Sequence, residues 1–314
     1  MRIGVIGAGY WGSKVISEYH DLKVSGEISD LSVFDSDPDR LSSINQRFSD
    51  INTFKSPSEL MKNVDAVHIC SPNQTHYELA KMAIQNKLGL LLEKPITVNS
   101  TLSHDLVERS LAENVIFQVG NIFRFTNVLS VVKKHLEVGK IGEILYINFN
   151  WSLYPHGASS SDIDVRWDLL PHVLDICNYL TNNWPSQYYE SYSTPLLGRK
   201  FPAIARVSGV LHNHVIFFIE LSLCNNRPHK DVEIVGSQGT IYADPTAQVM
   251  RVYRDSKEEQ IGVEANNTIE AEIRNFIKSI ETRKNTPNSA NLGARIVREI
   301  EEIIRVGERN GKNL

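Results

Sequence analysis

Along the first 120 residues, short apolar runs alternate with amphipathic stretches, a pattern that predicts repeated strand–helix units. Arg2–Ile6 reads as a strand, Ser13–His20 as a helix and Leu31–Phe34 as a second strand. Residues 40–66 predict a helix, a short strand near Asn52–Phe54 and a helix from Ser56 or Pro57 to about Asn63. There Ser56 suits the cap, Pro57 the first helical position, and Glu59 follows three residues on. Asp65–Cys70 is the next strand, followed by a helix through Lys87. Leu88–Pro95 is short and unbroken in its apolar part, as in a strand buried on both faces. Pro95 stops it, because proline has no N–H for a ladder. A helix over Ser103–Ala112 and a strand over Val115–Val119 complete a doubly wound α/β pattern with a parallel sheet.

Beyond residue 120 the period changes. Val128–Val138 predicts a helix ending near Gly139, and Glu143–Leu153 alternates like a strand. From about Tyr188 to Arg254 β patterns dominate: Ala203–Leu211 and Val215–Leu223 around a His212-Asn213-His214 hairpin, then Val232–Val235, Thr240–Ala243 and Val249–Tyr253. Helices are expected over Thr268–Glu281 and Asn291–Gly307. The second part therefore reads as an α+β domain with a large, open, mostly antiparallel sheet, one face of which needs a cover.

Composition narrows the function. A chain of 314 residues is long for one core and suggests two domains, expected at 1–120 and 121–287. With 41% hydrophobic and 22% charged residues the chain is an ordinary folded protein, and a net charge of −4 gives no reason to expect nucleic acid or a membrane surface as partner. Cys70, Cys177 and Cys224 lack metal-ligand spacing and read as reduced residues of a cytoplasmic protein. His212 and His214 have no neighbouring ligand in sequence, so no metal site is expected. No apolar run reaches membrane-spanning length, and a structural motif already begins by residue 3, so no signal peptide is expected.

The candidate chemistry begins at Gly7-Ala-Gly9-Tyr10-Trp11-Gly12, between the first strand and the first helix. Gly7 permits the tight turn, Gly9 lets backbone approach a pyrophosphate, and Gly12 lets helix and strand pack closely. The helix start then offers N–H groups to phosphate. Asp35 ends the second strand 23 residues past Gly12, near the usual distance for a ribose-binding acid. It would accept from a ribose 2′-OH and repel a 2′-phosphate, which favours NAD over NADP; nearby Arg40 leaves NADP open, and Asp35 also fits a plain acidic turn. The Ser71-Pro72-Asn73 loop leaves the same sheet edge and should border the cofactor, with His76 orienting the loop or acting in catalysis. Glu93-Lys94 closes the buried strand at the edge where open α/β sheets bind ligands.

Further on, Arg166-Trp167-Asp168-Leu-Leu-Pro171-His172 opens a helix, with Asp168 as its expected N-cap and Pro171 in its first turn. Asp168 and His172 are then i and i+4 on one face. Asp175, three residues past His172, could orient the imidazole or serve the helix. Tyr154–Val165 is polar and serine-rich, and reads equally well as a substrate loop or a surface connection.

The glycine motif, Ser71-Pro72-Asn73-x-x-His76 and Glu93-Lys94-Pro95 together resemble the Gfo/Idh/MocA oxidoreductase family. Asp168-x-Leu170-x-His172 is similar to the family's D-x-G-x-H, with leucine where glycine is usual, and the wording around Trp167 resembles the nucleotide-sugar dehydrogenase branch, which includes enzymes oxidising UDP-N-acetylhexosamines. The resemblance implies that Lys94 hydrogen-bonds a substrate hydroxyl, that His172 and Asp168 act as the acid–base pair, and that Glu93 contacts the cofactor side. It implies a cis Lys94–Pro95 bond, a last helix (288–314) packed back on the first domain, and dimers or tetramers paired through the sheet. Lys94, Arg124, Tyr154, Trp167, Asp168 and His172 form the expected substrate side, although Arg124 fits an interdomain salt bridge equally well. Gly7, Gly9, Tyr10, Trp11, Gly12, Asp35, Ser71, Pro72, Asn73, His76, Glu93 and Lys94 form the expected cofactor side. The implied activity is hydride transfer between NAD and a secondary hydroxyl of a sugar, nucleotide sugar or polyol. A net non-redox lyase or glycosidase that uses NAD transiently, and a non-catalytic NAD sensor, remain alternatives.

Overall fold

The computed structural model describes residues 1–154, 164–194, 200–284 and 286–311. It forms two compact units: Met1–Asn121 with Ile269–Val297, and Ile122–Thr268 with the chain from Arg298 on.

The first unit holds six strands: β1 (Arg2–Ile6), β2 (Asp30–Phe34), β3 (Asn52–Thr53), β4 (Ala66–Ile69), β5 (Gly89–Glu93) and β6 (Phe117–Gly120). They lie in the order β3-β2-β1-β4-β5-β6, every pair parallel. This is a doubly wound sheet that reverses direction between β1 and β4, the place where such sheets bind ligands. Helices α1 (Tyr10–Val24), α2 (Pro38–Arg47), α3 (Pro57–Met61), α4 (His76–Gln85) and α5 (Ser100–Ala112) connect the strands. Ser56 caps α3 as its sequence suggests, accepting from the Glu59 amide at 3.2 Å. Ile3, Val5, Leu31 and Val33 of the sheet pack with Val15, Ile16 and Tyr19 of α1.

The same core takes in Ile273, Phe276 and Ile277 of α8 (Thr268–Thr282). Sequence placed this helix in the second domain; its i, i+3, i+4 apolar stripe instead joins the first unit, each large side chain contributing about 1.5–3 kcal/mol by burial. Gly89 has no Cβ for a reason of packing here, since one would stand 2.5 Å from Ile280. The last helix, α9 (Ala290–Gly311), is divided at Val297 between the two units.

The second unit is an eight-stranded sheet in the order β14-β13-β12-β11-β7-β10-β9-β8. Its strands are β7 (Ile144–Ser152), β8 (Pro185–Thr194), β9 (Ile204–Leu211), β10 (Ile216–Ser222), β11 (His229–Gly236), β12 (Gly239–Asp244), β13 (Val249–Arg254) and β14 (Lys257–Ile261). Among the described residues of this sheet, only β7 and β10 pair in parallel. Alternation is regular: Ile147, Phe149 and Trp151 of β7 and Phe217, Ile219 and Leu221 of β10 are buried, while the residues between them face outward. Helices α6 (Asn127–Glu137) and α7 (Val165–Thr181) pack on this sheet. The start of α7 corrects the expected cap. Asp164, not Asp168, is the N-cap, its carboxylate accepting from the Arg166 amide at 2.9 Å. Asp168 lies in the first turn and Pro171 inside the helix.

Candidate functional site

Each motif glycine has a steric reason. Gly7 adopts φ +103°, and a Cβ there would stand 2.8 Å from the Cys70 carbonyl and the Ser71 amide. A Cβ on Gly12 would fall 1.9 Å from the Gly7 carbonyl oxygen. Gly9 is the N-cap of α1 and makes no side-chain cap bond, leaving the helix start without the usual capping oxygen. Among the described residues, only Arg40 comes near a Cβ built on Gly9, at 3.7 Å. That uncapped, open helix start is what a dinucleotide pyrophosphate requires, so the residues present fit NAD.

Asp35 is buried at the end of β2. One carboxylate oxygen accepts from the Ala8 amide at 2.6 Å, and the other accepts from the Asp37 amide at 2.9 Å. The Arg40 guanidinium lies 3.5 Å away. Asp35 thus anchors the glycine turn. Tyr10 is exposed and accepts from Lys14 Nζ at 2.9 Å.

At the carboxyl ends of β4 and β5 the polar groups converge. Trp11 donates from Nε1 to Glu93 at 2.5 Å, and His68 Nε2 lies 3.1 Å from the same carboxylate oxygen. Gly120 makes room, since a Cβ there would stand 2.7 Å from Glu93 Oε2. Lys94, next in the chain, is half-buried and joined to Pro95 by a cis peptide. His76 is buried at the head of α4, with Nδ1 2.8 Å from the Pro95 carbonyl and Nε2 2.9 Å from the Ser71 carbonyl. One imidazole therefore ties the Glu93-Lys94-Pro95 turn to the Ser71-Pro72-Asn73 loop. Burial holds its pKa below the ordinary histidine value, so the neutral ring donates to one carbonyl at a time. Ser71 also hydrogen-bonds Thr75, whose hydroxyl donates to the Pro72 carbonyl, and Asn73 opens a short 3₁₀ turn.

Sequence reading missed His68. The signal was available: a histidine in the wholly buried strand Ala-Val-His-Ile, one position before the strand's end at Ile69. His68, Cys70 and Glu93 also lie close enough together to resemble a metal-ligand set. Burial and the Glu93 and Glu272 carboxylates push the Cys70 thiol well up.

In the second unit, α7 carries Trp167, Asp168 and His172, all partly buried. Asp168 and His172 are one turn apart on one face. The His172 ring stands edge-on to Phe123, with centroids 5.0 Å apart, and tilted to Trp151 at 5.9 Å. Arg124, expected beside substrate, is held by Asp175 at 2.6 Å and Asn178 at 2.8 Å, all within this unit. That ion pair joins the turn Ile122–Phe125, and so Phe123, to α7. Asp175 therefore serves Arg124; burial outweighs the pull of the Arg124 guanidinium and leaves the carboxyl raised to about 6. Tyr154 is exposed, and residues 155–163 of the expected substrate loop lie outside the described residues.

Known proteins share this architecture. UDP-N-acetylglucosamine 3-dehydrogenase of Acidithiobacillus ferrooxidans is 24% identical over 294 residues, covering 90% of each chain. Its solved structure superposes with a TM-score of 0.86 at 23% identity, covering 98% of this chain and 97% of that one. Myo-inositol 2-dehydrogenase of Thermotoga maritima is 32% identical over 145 residues, 46% of this chain and 42% of that protein. A levoglucosan dehydrogenase solved with NADH and levoglucosan gives a TM-score of 0.84 at 16% identity, covering 98% of this chain and 97% of that one. Residues 1–121 match the Gfo/Idh/MocA family, described as "Oxidoreductase family, NAD-binding Rossmann fold".

Proposed function

We propose that this chain oxidises a secondary hydroxyl of a sugar, and by preference of a nucleotide sugar, with NAD. The observation that carries the reading is the Glu93-Lys94-Pro95 turn, fixed beside the glycine motif at the ligand-binding edge of an NAD-type sheet. The relatives' names agree: they include dehydrogenases of UDP-N-acetylglucosamine and of myo-inositol.

In this reading NAD, when bound, supplies the hydride acceptor. His172 takes the hydroxyl proton on a ring nitrogen. Lys94 donates a hydrogen bond to the same oxygen and stabilises its developing negative charge, as a preorganised donor does. Asp168, one turn before His172, orients or assists the imidazole. A positioned base contributes typically about 10²–10⁴-fold. Glu93 stays ordered between Trp11 and His68 and sets where Lys94 begins.

The test is a panel of nucleotide sugars and polyols with NAD and NADP, read as absorbance of reduced cofactor. Net accumulation of NADH supports the dehydrogenase; turnover without it favours the non-redox alternative, and NAD binding without any turnover favours a sensor. Lys94→Ala is expected to keep NAD affinity and to lose about 10²–10³-fold or more in kcat. Retained turnover in a clean preparation overturns the role of Lys94. The reading also includes a cytoplasmic location and a homo-oligomer; among the described residues no helix is long and apolar enough to cross a membrane.

A further inference from the structure

Cys70 continues β4, its amide donating to the Ile6 carbonyl of β1 at 2.7 Å, so Cys70 and His68 point to one face of the sheet. Ile69 pairs in parallel register with Leu92, which sets Glu93 of β5 beside Cys70 on that face. An imidazole nitrogen, the thiol sulfur and a carboxylate oxygen of these three residues all lie within 4.8 Å of one another. Donors around one tetrahedral zinc ion stand roughly 3.3–3.6 Å apart, from bonds of about 2.3 Å to sulfur and about 2.0–2.2 Å to nitrogen and oxygen. Side-chain rotation alone closes the difference. Glu93 receives Trp11 and His68 on Oε1, and among the described residues no hydrogen bond falls on Oε2. His68 is fully buried, yet its Nδ1 has no partner. Tyr19 Oη, on a fully buried ring edge-on to that imidazole with centroids 5.9 Å apart, has none either. Buried polar atoms are almost always satisfied, so two orphans beside three donors call for an occupant. Cys70 is partly exposed and Glu93 keeps 11% of its side chain open, which gives an ion a way in from the sheet edge above His68.

We propose that His68, Cys70 and Glu93 bind a divalent transition-metal ion of the zinc type. A thiolate and an imidazole select zinc or cobalt over magnesium and calcium, which take oxygen donors. A bound dication deprotonates a coordinating thiol outright, and the proton passes to solvent. Three protein donors leave the fourth tetrahedral position to water. Sequence spacing hides the set, because Glu93 lies 25 residues beyond His68 and arrives only through the pairing of β4 with β5. Glu93 leads directly into Lys94, so an ion on its carboxylate competes with the Trp11 indole and acts on that turn. The site is argued from these side chains and does not rest on the dehydrogenase reading.

The test titrates chelator-treated full-length protein with cobalt(II) and then zinc. Cobalt is expected to give a sulfur-to-metal charge-transfer absorption, and one equivalent of zinc per chain to abolish it. Cys70→Ser is expected to remove the band and to weaken zinc about 100-fold or more, past the ~10- to 100-fold effect of an outer-shell partner. His68→Gln is expected to weaken zinc by a similar factor, while Cys177→Ser and Cys224→Ser keep both band and affinity. A wild-type protein without the band, a band that survives in Cys70→Ser, or unchanged zinc affinity in His68→Gln overturns the proposal. A second measurement needs no variant: zinc is expected to slow alkylation of Cys70 in the wild type about tenfold or more, read by peptide mapping. Equal rates with and without zinc overturn it as well. None of these readouts involves turnover, so the metal site and the dehydrogenase reading fail separately.

Discussion

Glu93 is held by the Trp11 indole and the His68 imidazole, and the absence of a side chain at Gly120 leaves it room. Hydrogen bonds to a charged group contribute about 1.5–3 kcal/mol each. His68→Phe keeps a ring in the buried slot against Tyr19 and removes that bond. We expect it to lower kcat about tenfold or more through a looser Glu93-Lys94 turn, with a smaller change in sugar KM. A fall in melting temperature with unchanged kinetics would make His68 structural only. Asp35 can be divided in the same way. Asp35→Ala is expected to weaken NAD and ease the bias against NADP, and an unchanged cofactor ratio in titration would refute that. Because Asp35 also accepts from Ala8, part of the loss belongs to the glycine turn; Asp35→Asn keeps an acceptor there and isolates the charge. Gly7, Gly9, Gly12 and Asp35 were legible in sequence because their spacing is local. The Glu93–His68 contact was not, because 25 residues separate the partners and only parallel pairing of β4 with β5 brings them together.

At the scale of elements, α7 shows where local rules stop. Asp164 and Asp168 both suit an N-cap by residue type, and Pro171 favoured the later start. The helix begins at Asp164 and carries Pro171 inside, since Val165, Leu169, Leu170 and Val173 bury as one apolar set. β14 was missed because Lys257–Ile261 is almost wholly exposed and has no alternation to read. The Arg124–Asp175 pair gives this region a pH dependence. Asp175 has a carboxyl pKa raised from 3.8 to about 6 in the folded chain, so the native state binds its proton more readily than the unfolded state does. Its contribution to stability is fully present below the unfolded value and is lost as pH rises through about 6. Relative to Asp175→Asn, the wild type should therefore lose stability between about pH 4 and pH 6 and run level above. Chemical melts across that range test it, and a difference that does not vary with pH would mean Arg124 offsets burial completely.

For the molecule as a whole, the open sheet of the second unit raises the question of what covers it. Its buried face is complete, yet the outward face carries Ile216 at 40%, Phe218 at 46% and Tyr192 at 49% exposure. Between them runs a concavity of about 540 Å³ that includes Asn148, Asn150, Arg206, Glu220 and Tyr242. Charges of both signs stand there, with Arg206 and Glu220 paired at 2.6 Å and Glu190 and Glu233 nearby. An apolar strip crossed by mixed charge can be complementary to itself across a two-fold axis, which is how most homodimers close. A stable interface buries roughly 1,200–2,000 Å² in total, well within the area of an eight-stranded face. We therefore expect the protein to sediment as a dimer or tetramer, and Phe218→Arg to reduce it to a smaller species without altering NAD affinity. Phe218 faces away from the His172 side of the sheet, so the substitution separates assembly from the site. A wild-type monomer at micromolar concentration, or an assembly indifferent to Phe218→Arg, would move the subunit contact to another surface.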